Sequence, residues 1–308
     1  MTVPALLEAR GCTLSVAGRR VLGPFDATTA GDLVALVGDV APLMSLLMNV
    51  APGAIELARG PDPAFAASSE VLVASGSLRV AGRDVTSAES RARVGVAPLD
   101  PPLPPDLTVT EYLVASARLA GLGRAAKVEA ARALETLGGG GAARRRLVTL
   151  GVGERRLLLL SQAIIGSPEV IVVEAPLAHL DDATAEFVLT AFLHAAEGRR
   201  VIIGVDRAGA GTRDAPILER ASSMLQFSKG ELVAAGTPAD VAAIGTRWQL
   251  TVRSNAEALA AELERSGVKL EGGPVRFSVS LGEGLGTDVI MKAASAARAA
   301  VVDLSSLG

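Results

Sequence analysis

Few residues in this 308-residue chain have the type and spacing that do chemistry. The clearest is Glu174, a carboxylate that ends the apolar run Val170–Val173. Such a run reads as a strand buried in a parallel sheet. A carboxylate at its end can hold a metal through water, whereas Ala175 beside it can neither orient nor deprotonate anything. His179 and His194 add two imidazoles, but no metal-ligand spacing accompanies them. Gly282, Gly284 and Gly286 suggest a dinucleotide fingerprint with the wrong spacing, and the stretch reads as a loop. Cys12 excludes an intrachain disulfide, fits a reducing compartment and reads as a small core residue. Arg144 to Arg146 read as a solvated face, with contact to a partner or to lipid headgroups as the alternative.

The elements that position Glu174 are ordered in the stretch from Leu150 to Asp181. A short glycine turn, Leu150 to Gly153, opens an amphipathic helix that ends near Gly166 and Pro168. The carboxylate strand follows, then Pro176 and the Leu180-Asp181 pair. Upstream, Leu6 to Val16 and Val21 to Thr29 read as strands around a turn at Gly18. LVALVG, ending at Gly38, reads as a strand buried on both faces, with a helix from about Met44 to Val50. Residues 51–70 are rich in Ala, Pro and Gly and read as an inserted loop. Strands are expected at Val71 to Val73, Ser77 to Val80 and Arg93 to Pro98. The four prolines of LDPPLPPD exclude helix there. Thr108 to Glu111 has the spacing of a capping box, opening a helix to about Ala120, with a second from Arg124 to Leu137. A helix from Ala183 to Ala196, a buried strand from Val201 to Val205 and a hairpin around Lys229-Gly230 follow. From Arg247 the pattern becomes βαββαβ, with Asn255 capping its first helix to Arg265, which predicts a small ferredoxin-like second domain.

Net charge is −3, so nothing draws the chain towards nucleic acid in general. Apolar residues make up 49% and aromatics only 3%, so the core is aliphatic. No basic start with a long apolar run suggests a secretory signal. No window reaches the ~18 apolar residues of a membrane span. A cytoplasmic protein is expected, peripheral to the inner face of a membrane only through a partner.

In this order, LVALVG, GSLRVAGRDV, DLTVTEYL, GSPEV, the Leu180-Asp181 pair and SKGELVAAGTPADV resemble the nucleotide-binding subunit of ATP-binding cassette (ABC) transporters. The resemblance covers about residues 5–240. It implies an α/β, P-loop NTPase-type domain at 1–240 with an antiparallel β subdomain and a helical insert at about 99–146. Residues 247–308 look like the small C-terminal α+β domain that some members carry.

The motifs that carry the family's chemistry are replaced. The phosphate loop needs glycine amides, a lysine on the terminal phosphates and a Ser or Thr on magnesium. Here it is Gly38-Asp39-Val40-Ala41-Pro42-Leu43-Met44-Ser45, with Met44 at the lysine position. Val16 stands where an aromatic stacks on adenine, and Leu99 where a glutamine senses magnesium. Glu174 and Ala175 replace an Asp-Glu pair, and Asp206 replaces a histidine near the γ-phosphate. The signature Leu-Ser-Gly-Gly-Gln becomes Leu150-Gly151-Val152-Gly153-Glu154, so Gly151, Val152 and Gly153 form a degenerate turn. No catalytic residue is assigned, no metal site is expected, and the cofactor expectation is none or weak ATP/Mg. The resulting expectation is a structural or regulatory pseudo-ATPase. It would dock on a membrane-spanning transporter subunit through the insert near residues 99–137, and form a homodimer or a heterodimer with another ABC subunit. An active or weakly active ATPase of an export system is a second reading, and a scaffold or sensor outside transport a third.

Overall fold

The computed structural model describes residues 3–16, 19–48, 73–85, 87, 93–208, 212–245, 247–281 and 287–306. The expected loop at 51–70 and the glycines at 282, 284 and 286 lie outside these residues. The chain divides into two compact units, Met1–Pro238 and Ala239–Gly308.

The first unit has two sheets. An antiparallel sheet contains β1 (Leu7–Val16), β2 (Arg19–Thr28), β4 (Val73–Val80) and β5 (Arg83–Asp84) in the order β2-β1-β4-β5. The second sheet has the order β10-β9-β3-β8-β7-β6. Its members are β3 (Leu33–Gly38), β6 (Val94–Ala97), β7 (Val170–Glu174), β8 (Arg200–Val205), β9 (Ser223–Ser228) and β10 (Glu231–Gly236). All neighbours in it are parallel except β10, the antiparallel edge. The apolar runs of β3, β7 and β8 are buried because a parallel strand is covered on both faces. One core joins the sheets. Leu7, Leu14, Leu22 and Phe25 meet Leu36, Leu43, Met44 and Phe227 there. The rings of Phe25 and Phe227 meet edge to face with centroids 5.1 Å apart.

Two expectations shift here. Helix α1 spans Ala41–Leu47, beginning three residues before Met44, because Pro42 in the first turn needs no N–H partner. The expected break between Val73 and Ser77 is absent, and β4 runs unbroken through it. Gly76 adopts φ +79° opposite a register shift in β1, and a Cβ on it would meet the Gly11 carbonyl oxygen at 2.3 Å. The glycine marks a bulge rather than a strand end.

The helical insert contains α2 (Val109–Leu119) and α3 (Ala126–Thr136), the latter preceded by a 3₁₀ turn at Gly123–Ala125. That turn takes the start of the helix expected from Arg124. The capping box forms as expected: Glu111 N–H donates to Thr108 Oγ1 at 3.3 Å, and Thr108 N–H to Glu111 Oε2 at 2.8 Å. Entry and exit are tied together, with Val109 N–H donating to Arg145 O at 3.0 Å and Leu147 N–H to Leu107 O at 2.9 Å. Helix α4 (Val152–Ile164) then leads to β7, and α5 (Asp182–Ala196) to β8. Asp181 caps α5 by accepting from Thr184 N–H at 2.9 Å. The short helix α6 (Ala215–Leu218) precedes β9.

The second unit follows the start of α7 (Pro238–Gly245). It contains β11 (Arg247–Ser254), α8 (Ala256–Arg265), β12 (Lys269–Gly272), β13 (Arg276–Ser280), α9 (Thr287–Ala296) and β14 (Ala300–Ser306). The antiparallel sheet has the order β12-β13-β11-β14. Leu250, Val252, Phe277 and Val279 pack with Leu259, Leu263 and Ile290 of the helices. Asn255 does not cap α8 with its side chain. It takes φ +57°, and its amide donates to the carbonyls of Ala297 and Arg298 at 3.3 and 2.9 Å. The residue ties the two helix ends together instead of closing its own.

Candidate functional site

The parallel sheet brings most of the replaced positions to one edge. Gly38 ends β3, Glu174 ends β7, Asp206 follows β8, and Leu99 lies two residues past β6. The carboxyl edge of such a sheet is where ligands usually sit.

Gly38 has φ +94°, and a Cβ on it would stand 2.0 Å from the Phe227 carbonyl oxygen of β9. Close strand packing therefore requires the glycine, whatever lies beyond it. The two following amides are both taken by backbone carbonyls. Asp39 N–H donates to Phe227 O at 3.4 Å, and Val40 N–H to Gly38 O at 2.7 Å. The Asp39 carboxylate stays exposed and accepts from Lys229 N–H at 2.8 Å. Leu43 and Met44 are both 0% exposed. A Cβ on Gly204 of β8 would lie 2.6 Å from Met44 Sδ, so Met44 lies flat on that strand. Its side chain belongs to the core between α1 and the sheet. Full burial of such a side chain is worth about 1.5–3 kcal/mol. The Ser45 hydroxyl donates to Ala41 O at 2.9 Å, within its own helix. Val16, at the tip of β1, is half-buried and pairs across the hairpin with Arg19.

At the end of β7, Glu174 Oε2 accepts the Leu99 backbone N–H at 3.0 Å. Leu99 itself is half-buried. Ala175 is buried at φ +38° and donates its N–H to Gly204 O at 2.7 Å. Asp206 is exposed, and Asp214 lies close enough to feel its charge. Burial first, and Asp206 second, push the Asp214 carboxyl above the usual aspartate range. Two acids, Asp206 after β8 and Asp214 before α6, thus lie near one another.

The glycine turn is built differently. Gly151 is the N-cap of α4, and its N–H donates to Glu154 Oε2 at 2.9 Å. Glu154 is ion-paired with Arg145, which also donates to Thr149 O. Helix α4 thus carries its own carboxylate at its positive end, an arrangement worth about 0.3–1 kcal/mol. Val152, the first helical residue, is 53% exposed. A Cβ on Gly153 would meet Thr184 Cγ2 at 2.4 Å, so this glycine lets α4 approach α5.

His179 and His194 are both exposed. Among the described residues no group of three His, Cys, Asp or Glu side chains is placed to hold a metal. Among them, too, no helix is long and apolar enough to cross a membrane. Arg144, Arg145 and Arg146 are exposed, yet Arg145 is engaged by Glu154. Sequence reasoning did not single out Asp214 or Arg156, and it named Arg145 and Glu154 only as members of the arginine run and the glycine turn. Arg156 is 6% exposed, with its Nε buried and without a hydrogen-bond partner. The available signal was periodicity: Arg156, Leu160 and Ala163 share a helix face, and that face is buried.

These features define an α/β nucleotide-binding cassette fold with altered loops. The family model described as ABC transporter matches residues 65–178. An uncharacterized ABC transporter ATP-binding protein of Mycobacterium tuberculosis is 26% identical over 207 residues, covering 63% of this chain and 61% of that protein. The lipoprotein-releasing system ATP-binding protein LolD of Novosphingobium aromaticivorans is 33% identical, over 40% of this chain and 59% of its own length. The daunorubicin/doxorubicin resistance ATP-binding protein DrrA of Streptomyces peucetius is 30% identical, over 51% of each chain. The chain thus spans 61% or less of the length of these curated relatives. A solved structure of a bacterial Atm1-family ABC exporter with ATP bound superposes with a TM-score of 0.56 at 19% identity. That match covers 78% of this chain and 41% of the exporter and speaks for the fold alone. Over these stretches the chain is similar to ABC transporter ATP-binding proteins.

Proposed function

We propose that this chain is a degenerate ABC subunit, impaired in binding and hydrolysing ATP, that serves as a structural or regulatory partner. The observation that carries the reading is Met44, at the position of the phosphate-binding lysine, buried against Gly204 in the core. A lost charge-assisted hydrogen bond costs about 1.5–3 kcal/mol. Further support comes from the amides of Asp39 and Val40, both engaged by backbone carbonyls, and from Pro42, which has no N–H. The carboxylates of Asp39 and Asp206 would oppose a polyphosphate, and Ala175 supplies no base for an attacking water. Glu154 takes the anion position at the start of α4. The residues present do not suit a bound Mg–ATP.

The partners in this reading are a membrane-spanning transporter subunit, reached through the insert, and a second ABC subunit, identical or homologous. The protein would then be cytoplasmic and peripheral to the membrane through that partner. The second unit would be a ferredoxin-like module, supported by its strand order β12-β13-β11-β14 with two helices packed on the sheet. Calorimetry with Mg–ATP tests the reading. No binding up to millimolar nucleotide is expected of the isolated chain, and micromolar affinity would overturn it. A second reading, a weakly active ATPase of an export system, draws on Gly38 and Ser45, which match the family's phosphate loop, and on Glu174, which keeps a carboxylate at the end of β7. It requires turnover that depends on Glu174.

A further inference from the structure

We infer that Glu174 and Arg156 form a fixed clasp that holds the proline-rich entrance of the helical insert to the central sheet. Glu174 ends β7, and its Oε2 receives the backbone N–H of Leu99 at 3.0 Å, across 75 residues of chain. This bond joins the sheet to the first residue of the segment that leads through Pro101, Pro102 and Pro105 into α2. Prolines cannot donate backbone N–H bonds, so a segment rich in them has few ways to anchor itself, and Leu99 is a donor that remains.

Arg156 of α4 supplies the counter-charge. It is 6% exposed, and the two carboxylates whose charge it feels are Asp100 and Glu174. A buried guanidinium is tolerated only near opposite charge. Its neighbour Arg155 lies 3.9 Å from Asp100 of the same loop. Asp100 and Arg155 also line a groove of about 280 Å³ with Pro101, Pro102, Leu147 and Val148. The clasp therefore fixes one wall of that groove. On the other side of the insert, the Tyr112 hydroxyl donates to Gln162 Oε1, and the Gln162 amide reaches Val96 O at 3.5 Å. Three elements, α2, α4 and β6, are joined beside the clasp.

In this arrangement Glu174 spends its carboxylate on the chain itself. Glu174 and Arg156 are positioning residues, and the insert keeps one orientation whether or not nucleotide is present. That last clause rests on the proposed loss of nucleotide response, while the clasp rests on the Leu99–Glu174 hydrogen bond and on the burial of Arg156 near Glu174 and Asp100.

Hydrogen exchange of the full chain tests it. Glu174→Ala should speed exchange of the Leu99 amide about tenfold to a hundredfold. The amides of Ile202 and Ile203 in β8 should stay protected. Glu174→Gln keeps an acceptor and should restore most of the protection, whereas Glu174→Leu keeps the bulk without an acceptor and should not, a difference that a general packing role would not predict. Should Glu174→Ala fail to fold, Arg156→Met is the second variant, expected to speed the Leu99 amide several-fold. Unchanged exchange at Leu99 in a folded Glu174→Ala or Arg156→Met protein overturns the clasp. Faster Leu99 exchange in the wild type on adding Mg–ATP also overturns it as a fixed device. Calorimetric ATP binding without any change at Leu99 upholds the clasp and overturns the proposed function instead.

Discussion

The segment Gly38–Ser45 and the glycine turn Leu150–Glu154 are held in place by opposite means. The first is held by packing: Leu43 and Met44 fill core, and the Asp39 and Val40 amides bond backbone carbonyls. The second is held by charge: Glu154 bonds the Gly151 amide and pairs with Arg145. Packing is cooperative with the whole fold, so the loop cannot open without disturbing the sheet. A half-exposed carboxylate is a local device that one substitution removes. Family resemblance alone treats both as lost motifs, while the structure separates a loop built into the core from a turn capped at the surface.

The largest effect is expected where that contrast is sharpest. Met44→Ala should lower unfolding free energy by about 2–5 kcal/mol in urea denaturation without creating ATP affinity. A stable variant would mean that Met44 lies in the crevice, and the contrast would fail. Next come the two glycines. Gly38→Ala forces a positive φ and a clash with the Phe227 carbonyl, and should cost at least about 1–3 kcal/mol. Gly151→Ala meets only Glu154 Oε2 at 3.7 Å and should change the melting temperature little. Equal losses at both sites would erase the distinction between a packed and a capped segment. Glu154→Gln should cost no more than about 1 kcal/mol, and the difference from wild type should shrink with added salt. A salt-independent loss would show that Glu154 acts by packing.

The smallest expected effect concerns Asp214, whose carboxyl is raised by burial and by Asp206. A folded-state value above the unfolded one means that the native state binds the proton more tightly. The associated stability is complete below the ordinary aspartate range and is lost as pH rises through the raised value. Asp214→Asn should therefore melt higher than wild type at neutral pH, with the gain fading in acid. A gain that persists at low pH would point to the lost carboxylate geometry rather than its charge.

Much of the sheet was legible because buried parallel strands are written as continuous apolar runs, as in β3, β7 and β8. The capping box at Thr108 was legible because its two bonds lie within four residues. Gly76 misled because a bulge and a strand end look alike until the partner strand is known. Asn255 misled for a similar reason, since its amide found partners more than forty residues away. Arg156 was hidden because a charged residue after Glu154-Arg155 reads as solvent-facing until α4 is seen packed on most sides.

The sequence by itself determined the order of the elements and which residue types occupy residues 38–45, 150–154 and 170–175. Those follow from local periodicity and spacing. Only the tertiary structure decided what each replacement does. Met44 turned into the core because Gly204 on β8 leaves room for it. Glu174 became an anchor because β6 delivers the Leu99 amide to its carboxylate. Both outcomes depend on contacts between segments 75 or more residues apart, which no local pattern encodes.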